Sequence, residues 1–533
     1  MACYSAQGRE SLQTSAEEQI NKIRRDSRSI EGFLTRYILN TRTVIDGERL
    51  KRVAFGEKDK SKPHKTILIV GETGVGKSTL INAMVNYMLG VKSTDRIWCE
   101  IIETKENQTN SQTNAVTVYD VFTEHSPFSL TAIDTPGYGS TDGLQDDLNV
   151  AESLHELFRS KDGVREIDAV CLAVSSNTTR LTEIQLYVFD AILSLFGNDV
   201  EKTIVVFITK AASKPTNAIN AIKKARVVCA KTDKGEPVYF RFNNCHCENF
   251  DDEEILDDYK LSWDQFNKTM EKFLAFINER PSVSLTMTAI VLKRRKQLTA
   301  SISNIQNKIT MAELIQNELQ QTTVSLQQHE KEKKEKEKTF EYEVDEPYKE
   351  KVPIEYKWWH IQSKGATCCS VCEENCHFPG CWWVRDLSWC SVMSEDKCTV
   401  CTGRCHYTKH VKEGKMYVVK TRRVKKTMED LKRKYEKESD EIKSLISRLT
   451  HEKEEQDRQK MRLVEECYQC VVTLNTIALK SDSVSILQHM DFLIEKMKET
   501  GKTDRVHKLE EIKKRAEAEN QKLLSFIQRF WSS

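Results

Sequence analysis

Residues 71–78 read Gly71-Glu72-Thr73-Gly74-Val75-Gly76-Lys77-Ser78, and Thr79 follows. The spacing is GxxxxGK[ST], a pattern suited to polyphosphate. Its glycines let successive backbone N–H groups curl around an anion. The N-terminus of a following helix adds partial positive charge, and Lys77 adds a full one. The Ser78 hydroxyl is placed to meet Mg²⁺. A second constellation is different in kind. Cys369-Ser370-Val371-Cys372-Glu373-Glu374-Asn375-Cys376-His377 precedes Cys381, and Cys398-Thr399-Val400-Cys401-Thr402-Gly403-Arg404-Cys405-His406 precedes His410. Both stretches read CxxC-x3-CH-x3-[C/H]. Paired CxxC thiolates can grip a tetrahedral ion. Cys369, Cys372, Cys376, Cys381, Cys398, Cys401, Cys405 and His410 are the expected ligands of two Zn²⁺ ions. His377 and His406 stand as substitutes, and Cys368 and Cys390 as spares. Whether each repeat holds its own ion or the two interleave stays open, and disulfides are the competing use of the same cysteines.

Elements must hold these groups in place. From 66 to about 280 the pattern alternates strand and helix. Strands are expected at 66–70, 115–122, 130–134, 168–174, 203–209 and 238–242, and helices at 78–89, 142–159, 182–196, 217–229 and 263–278. Short Val/Ile-rich runs between longer helices predict an α/β domain with a mainly parallel sheet and helices on both faces. A helix is expected over 16–39, then a basic linker at 58–65. The expected division is an N-terminal helix and linker (1–64), nucleotide domain (65–282), coiled-coil arm (283–338), Cys-rich insert (339–424), returning arm (425–460) and C-terminal helices (461–533). Leu298, Ile302, Ile305 and Ile309 keep coiled-coil spacing in the first arm. Met428, Leu431, Tyr435, Ile442, Leu445 and Leu449 keep it in the second. Alternation in 340–354 and 417–424 predicts two strands clamping the insert. The arms are expected to form an antiparallel hairpin with the insert at its tip. Five of the eight tryptophans (358, 359, 382, 383 and 389) fall in the insert. They are read as its small core, or as a partner-binding tip.

Bulk properties bound the partners. The chain has 533 residues, with 81 Lys and Arg against 80 Asp and Glu. That balance gives no global pull toward nucleic acid, and 420–426 is read as a solvated basic run. No apolar run spans a bilayer. The ends carry no signal h-region, myristoylation glycine or prenylation cysteine, so a cytoplasmic protein is expected. In a reducing compartment, 17 cysteines favour metal over disulfides.

The nucleotide is named by later motifs. Thr131-Ala132-Ile133-Asp134-Thr135-Pro136-Gly137 places DxxG at the end of an apolar strand. Asp134 would hold Mg²⁺ through water, and the Gly137 N–H would sense a γ-phosphate. With Arg180-Leu181-Thr182-Glu183, running on to Leu195-Phe196-Gly197, residues 65–280 resemble the AIG1-type GTPases, relatives of septins, in the P-loop class. The whole chain resembles a vertebrate group with this G domain, coiled coils and a Cys-rich insert. The resemblance implies GTP or GDP, Mg²⁺, and self-association through the G domain as a homodimer or oligomer. It also places the switch threonine at Thr113, with Thr109 second. Lys77, Thr113 and Gly137 are then the expected catalytic groups, and Ser78, Thr113 and Asp134 the Mg²⁺ ligands.

Two departures matter. The base-reading position holds Thr209-Lys210-Ala211-Ala212-Ser213, with no Asp or Glu anywhere in 203–232. A lost charged acceptor costs about 1–3 kcal/mol and much discrimination against adenine. Thr209 and Lys210, with Asn243 and Asn244, remain as base contacts. Tyr138 stands where many GTPases place a water-orienting Gln, so slow turnover is expected. The expected function is a slow GTPase acting as an assembly switch, with a zinc-tipped stalk and a protein partner there. The alternative is a non-hydrolysing nucleotide-binding scaffold. A chromosome-type ATPase with a zinc hook is disfavoured, because both nucleotide motifs precede the coil.

Overall fold

The structure is a computed structural model. It describes residues 17–32, 34–103, 115–136, 144–160, 163–247, 256–332, 341–354, 365–378, 380–381, 384, 386–427, 442–480 and 484–531. The chain divides into two compact units, residues 1–291 with 477–483 and 520–533, and residues 292–476 with 484–519.

The first unit is the α/β domain. Its elements in order are α1 (17–26), β1 (Arg28–Ile30), β2 (Thr35–Ile38), β3 (Arg42–Asp46), β4 (Leu50–Phe55), β5 (His64–Gly71), α2 (Lys77–Leu89), β6 (Ile97–Glu100), β7 (Val116–Val121), β8 (Ser129–Asp134), α3 (Leu144–Arg159), β9 (Glu166–Ile167), β10 (Ala169–Ser175), α4 (Glu183–Leu193), β11 (Ile204–Thr209), α5 (Thr216–Lys224), β12 (Tyr239–Arg241), α6 (Leu256–Asn278) and β13 (Val283–Ser284). The main sheet runs β12-β11-β10-β5-β8-β7-β4-β3. Neighbours are parallel from β12 to β8, and β7 is antiparallel to β8. Residues at successive positions of the central strands are buried alike, as both-face coverage requires. Ile67, Ile69, Cys171 and Ala173 share one core with α2 and α6, while their strand neighbours Leu68, Val70, Val170 and Leu172 are also fully buried. The six expected strands and five expected helices of this region are all present, with shifted ends.

The N-terminal reading is corrected. The helix expected over 16–39 ends at 26, and β1 and β2 follow it. β2 pairs in parallel with β6, whereas β3 and β4 extend the main sheet beyond β7. The strands β1 to β3 are largely exposed or half-buried, so no clean period marked them. Arg52 locks the added hairpin, donating to both Asp120 carboxylate oxygens at 2.6 and 3.0 Å. The basic linker is docked: Lys62 Nζ donates to the carbonyls of Thr123, Glu124 and Ser126 at 2.8–2.9 Å.

The second unit contains most of α7 (Thr286–Glu332), then β14 (Glu341–Pro353), β15 (Ala366–Cys369), β16 (Glu374–His377), β17 (Met393–Ser394), β18 (Lys397–Cys398), β19 (His410–Glu413), β20 (Lys415–Thr427), nearly all of α8 (Ile442–Ile477), α9 (Val484–Lys498) and the first part of α10 (Thr503–Trp531), up to 519. The two expected clamp strands are β14 and β20, an antiparallel ladder from Glu341↔Thr427 to Pro353↔Lys415. Leu298, Ile302 and Ile305 are buried as their spacing implies. Helices α7 and α8 run antiparallel: Lys308 donates to Gln459, Ser301 bonds Cys467, and Arg294 bonds Cys470. Met428, Leu431 and Tyr435 lie outside the described residues.

The insert is not at a tip. Lys426 at the start of the ribbon pairs with Glu318 at 2.8 Å, and Tyr342 meets Thr322. The ribbon then runs back along α7. Asn304 donates to Glu374 and to the Val400 carbonyl at 3.0 and 3.2 Å, and Ala300 joins the insert's core. The Cys-rich fold therefore leans on the flank of α7. Of the five tryptophans read as a small core, only one is among the described residues. Trp389 is 46% exposed, the other four lie outside the described residues, and the described core is largely sulfur.

His246 is buried among Trp98, Trp263 and Phe266, with Nδ1 3.2 Å from Ser262 Oγ. Burial pushes its imidazole down from the ordinary 6.5 to about 4. The folded state then binds the proton less readily than the unfolded chain. Stability is complete above pH 6.5 and is lost as pH falls toward 4. Thermal midpoints between pH 7 and 5 should fall in the native chain. The fall should be smaller in His246→Phe, which keeps the aromatic packing.

Candidate functional site

The phosphate loop is made by two left-handed residues. Gly74 and Gly76 have φ of +75° and +94°, which side chains resist, and among the described residues a Cβ on either would meet nothing within 4 Å. No described residue fills the space above the loop at these two positions. Gly71 answers a different need, since its Cβ would lie 2.8 Å from the Ala173 carbonyl oxygen. Helix α2 starts at Lys77 and aims its free N–H groups at the same space. Lys77 is 7% exposed, and its Nζ donates to the carbonyls of Gly71 and Glu72 at 2.9 and 3.2 Å. Burial lowers its ammonium below the ordinary value, while Asp134 and Glu72 pull it back. An arriving phosphate would act in the same sense as those carboxylates.

Asp134 ends β8, fully buried, with Oδ2 3.3 Å from Ser78 Oγ. A hydroxyl and a carboxylate at the start of α2 are oxygen donors that fit Mg²⁺ held beside a phosphate chain. Thr135 Oγ1 donates to the Ile69 carbonyl and fixes the strand end against β5. Thr113, Thr109, Gly137 and Tyr138 lie outside the described residues. Their flank is positioned from α2. Asn82 Oδ1 accepts from the N–H groups of Ile101 and Ile102, and Asn86 Oδ1 accepts from Cys99 N–H at 2.9 Å.

Thr209 is placed otherwise than expected. Its hydroxyl is buried and donates to the Val75 carbonyl at 2.7 Å. It ties the base loop to the phosphate loop, a positioning role. Lys210 is exposed with φ of +53°, and its carbonyl accepts from Ser176 Oγ at 2.5 Å. Ala211 N–H donates to the Phe242 carbonyl, bringing this loop beside Asn243 and Asn244. Asn243 is engaged locally with Cys245 and Ser262. Asn244 Oδ1 is buried and has no hydrogen-bond partner among the described residues.

One contact was missed from sequence. Thr182 caps α4 in a reciprocal box with Gln185, and Gln185 Nε2 donates to Glu72 Oε2 at 2.9 Å. Gln185, held by Thr182, thus ties the start of α4 to the phosphate loop. The Thr-x-x-Gln cap is visible in the sequence, but a partner 113 positions away is not.

In the insert, pairing crosses the two repeats. Cys369, Cys372, Cys401 and Cys405 converge in one set, with every ligand atom within 4.8 Å of the others. Cys376, Cys398, Cys401 and His410 form a second, so Cys401 belongs to both. Tetrahedral zinc with Zn–S near 2.3 Å spaces its sulfurs about 3.8 Å apart; Cys372 and Cys405 Sγ are 3.7 Å apart. His410 is 5% exposed, and among the described residues its Nε2 has no hydrogen bond within normal geometry; it faces Cys376, Cys398 and Cys401. The donor chemistry fits two ions sharing one thiolate. Cys381 is not with these seven; it lies with His377 and Cys390. His406 is exposed and caps the turn at Tyr407–Lys409, and Cys368 is bonded to Asn375 Oδ1 at 3.3 Å. The described cysteines are free thiols.

Lys77→Ala should abolish nucleotide binding with the fold intact. Gln185→Ala should weaken it several-fold, the scale of about 1 kcal/mol for one hydrogen bond. Titration with a fluorescent nucleotide reads both, and circular dichroism checks the fold.

Residues 66–210 match the family model described as a 50S ribosome-binding GTPase. No curated protein matches the chain. Among solved structures, the chain is similar to Toc33 from Arabidopsis thaliana in complex with GDP and Mg²⁺, at 17% identity over 39% of this chain and 86% of that one, with a TM-score of 0.25. The same protein with Mg²⁺ and GMPPNP is similar at 15% identity over 51% of this chain and 95% of that one, with a TM-score of 0.27. A further structure, described with the statement that dimerization is important for the GTPase activity of chloroplast translocon components atToc33 and psToc159, is similar at 17% identity, 42% and 86% coverage, and a TM-score of 0.30. The family model, together with the glycine cradle and the Ser78–Asp134 pair, makes residues 66–210 a P-loop GTPase domain.

Proposed function

We propose that this chain is a guanine-nucleotide-binding protein of the cytoplasm, a slow GTPase whose nucleotide state governs association of its G domains into a homodimer or oligomer. The observation that carries it is the Ser78 hydroxyl 3.3 Å from Asp134 at the mouth of the glycine cradle. Ser78 and Asp134 would hold Mg²⁺, which supplies charge neutralisation at the phosphates when bound. Lys77 and the α2 N–H groups would carry the rest of that charge. The resemblance of 180–197 to the AIG1-type box supports guanine and self-association. Asn244 Oδ1, buried without a partner among the described residues, offers a neutral acceptor beside the loop that lacks its carboxylate. Tyr138 in place of a water-orienting Gln supports slow turnover. In the second unit, two zinc ions on the seven repeat ligands would tie the insert onto α7.

The lack of an acid in 203–232 favours a second reading, a nucleotide-binding scaffold that does not hydrolyse. Two measurements separate them. GTP should bind more tightly than ATP, and phosphate release per chain should rise with protein concentration. Release at background at every concentration supports the scaffold, and fast release from dilute monomer removes the assembly switch. Ala212 is exposed in the base loop, so a carboxylate fits there. Ala212→Asp should raise the preference for GTP over ATP about 10- to 100-fold, equivalent to about 1–3 kcal/mol.

A further inference from the structure

We infer that the insert holds a third metal ion, a Zn²⁺ bound by His377, Cys381 and Cys390. This site is separate from the two sets built on the repeats. It rests on the reading of the insert as zinc-tied only in the choice of metal.

The geometry is that of a ligand set. His377 Nδ1 lies 3.3 Å from Cys390 Sγ and 3.7 Å from Cys381 Sγ. A tetrahedral ion with Zn–N near 2.0–2.1 Å and Zn–S near 2.3 Å sets that N···S edge at about 3.6 Å. The two observed distances bracket it. All three residues are buried, at 6%, 1% and 1% exposure. Two thiolates and a neutral imidazole cancel the charge of a divalent cation. A buried site gains from that balance, because an uncompensated charge is costly there. The donors are soft and borderline, which selects zinc over magnesium or calcium.

A strand end and the connection after it present them. His377 ends β16, opposite Thr367 of β15, while Cys381 and Cys390 follow on the connection to β17. A hydroxyl adjoins one of the sulfurs: Ser391 Oγ is 3.4 Å from Cys381 Sγ. Three protein ligands leave the fourth position to an oxygen donor. The sequence concealed the set because its spacing, H-x3-C-x8-C, contains no CxxC pair.

The experiment uses the full chain, purified under reducing conditions without chelator. Native mass spectrometry and elemental analysis count zinc per chain. Three ions are expected, falling to two in Cys390→Ala. A count of two in the native chain, or an unchanged count in Cys390→Ala, overturns the third site alone. A count of zero overturns both this site and the pair on the repeats. A second measurement does not depend on the variant folding. As a chelator withdraws zinc from the native chain, alkylation should reach Cys381 and Cys390 together, in step with loss of one ion. Alkylation of both while every ion is retained overturns the inference.

Discussion

A loop that turns its N–H groups toward a ligand keeps few backbone bonds of its own, here Val75 N–H to the Glu72 carbonyl, and must be held from outside. That requirement organises the first unit. Gly74 and Gly76 adopt left-handed conformations to open the cradle. Four other elements then restrain it. Thr209 from β11 takes the Val75 carbonyl, and Gln185 from α4 takes the Glu72 side chain. Thr135 after β8 takes the Ile69 carbonyl of the strand beneath. Ala173 of β10 packs so close to Gly71 that only glycine fits there. The sheet order puts β10 and β8 on either side of β5, so these restraints arrive from both flanks.

The same logic separates what was legible from what was not. The central strands were legible because burial on both faces writes a continuous apolar run, as in Ile67-Leu68-Ile69-Val70. The loop was legible because its constraint is local: a turn, a lysine and a helix start. β1 to β3 were not, because half-exposed strands leave no clean period. The role of Thr209 was hidden because its partner lies 134 positions away. The cysteine and histidine pattern was visible, but its grouping depends on β15 pairing with both β16 and β19, a through-space fact. That pairing sets Cys369 opposite His410 and sends Cys381 elsewhere.

The insert shows how a small fold manages without a large apolar interior. Its described core consists mostly of cysteines, with Val384, Val392, Met393 and Val400 as the chief apolar support. Such a unit needs a staple. Its neighbours supply some order: Asn375 bonds the Tyr417 backbone through both ends of its amide, at 2.7 and 2.8 Å. The ribbon of β14 and β20 gives those bonds a rigid frame.

Lys308 connects this unit to the helices. Its ammonium, 7% exposed, reaches Glu374 and Thr402 of the insert and Gln459 of α8, while its own backbone belongs to α7. One buried cation thus completes three separate surfaces at once. Helix pairing and insert folding then share a free-energy term, and linkage makes that term reciprocal. Whatever favours the paired helices favours the folded insert, and a folded insert strengthens the helix pair by the same factor.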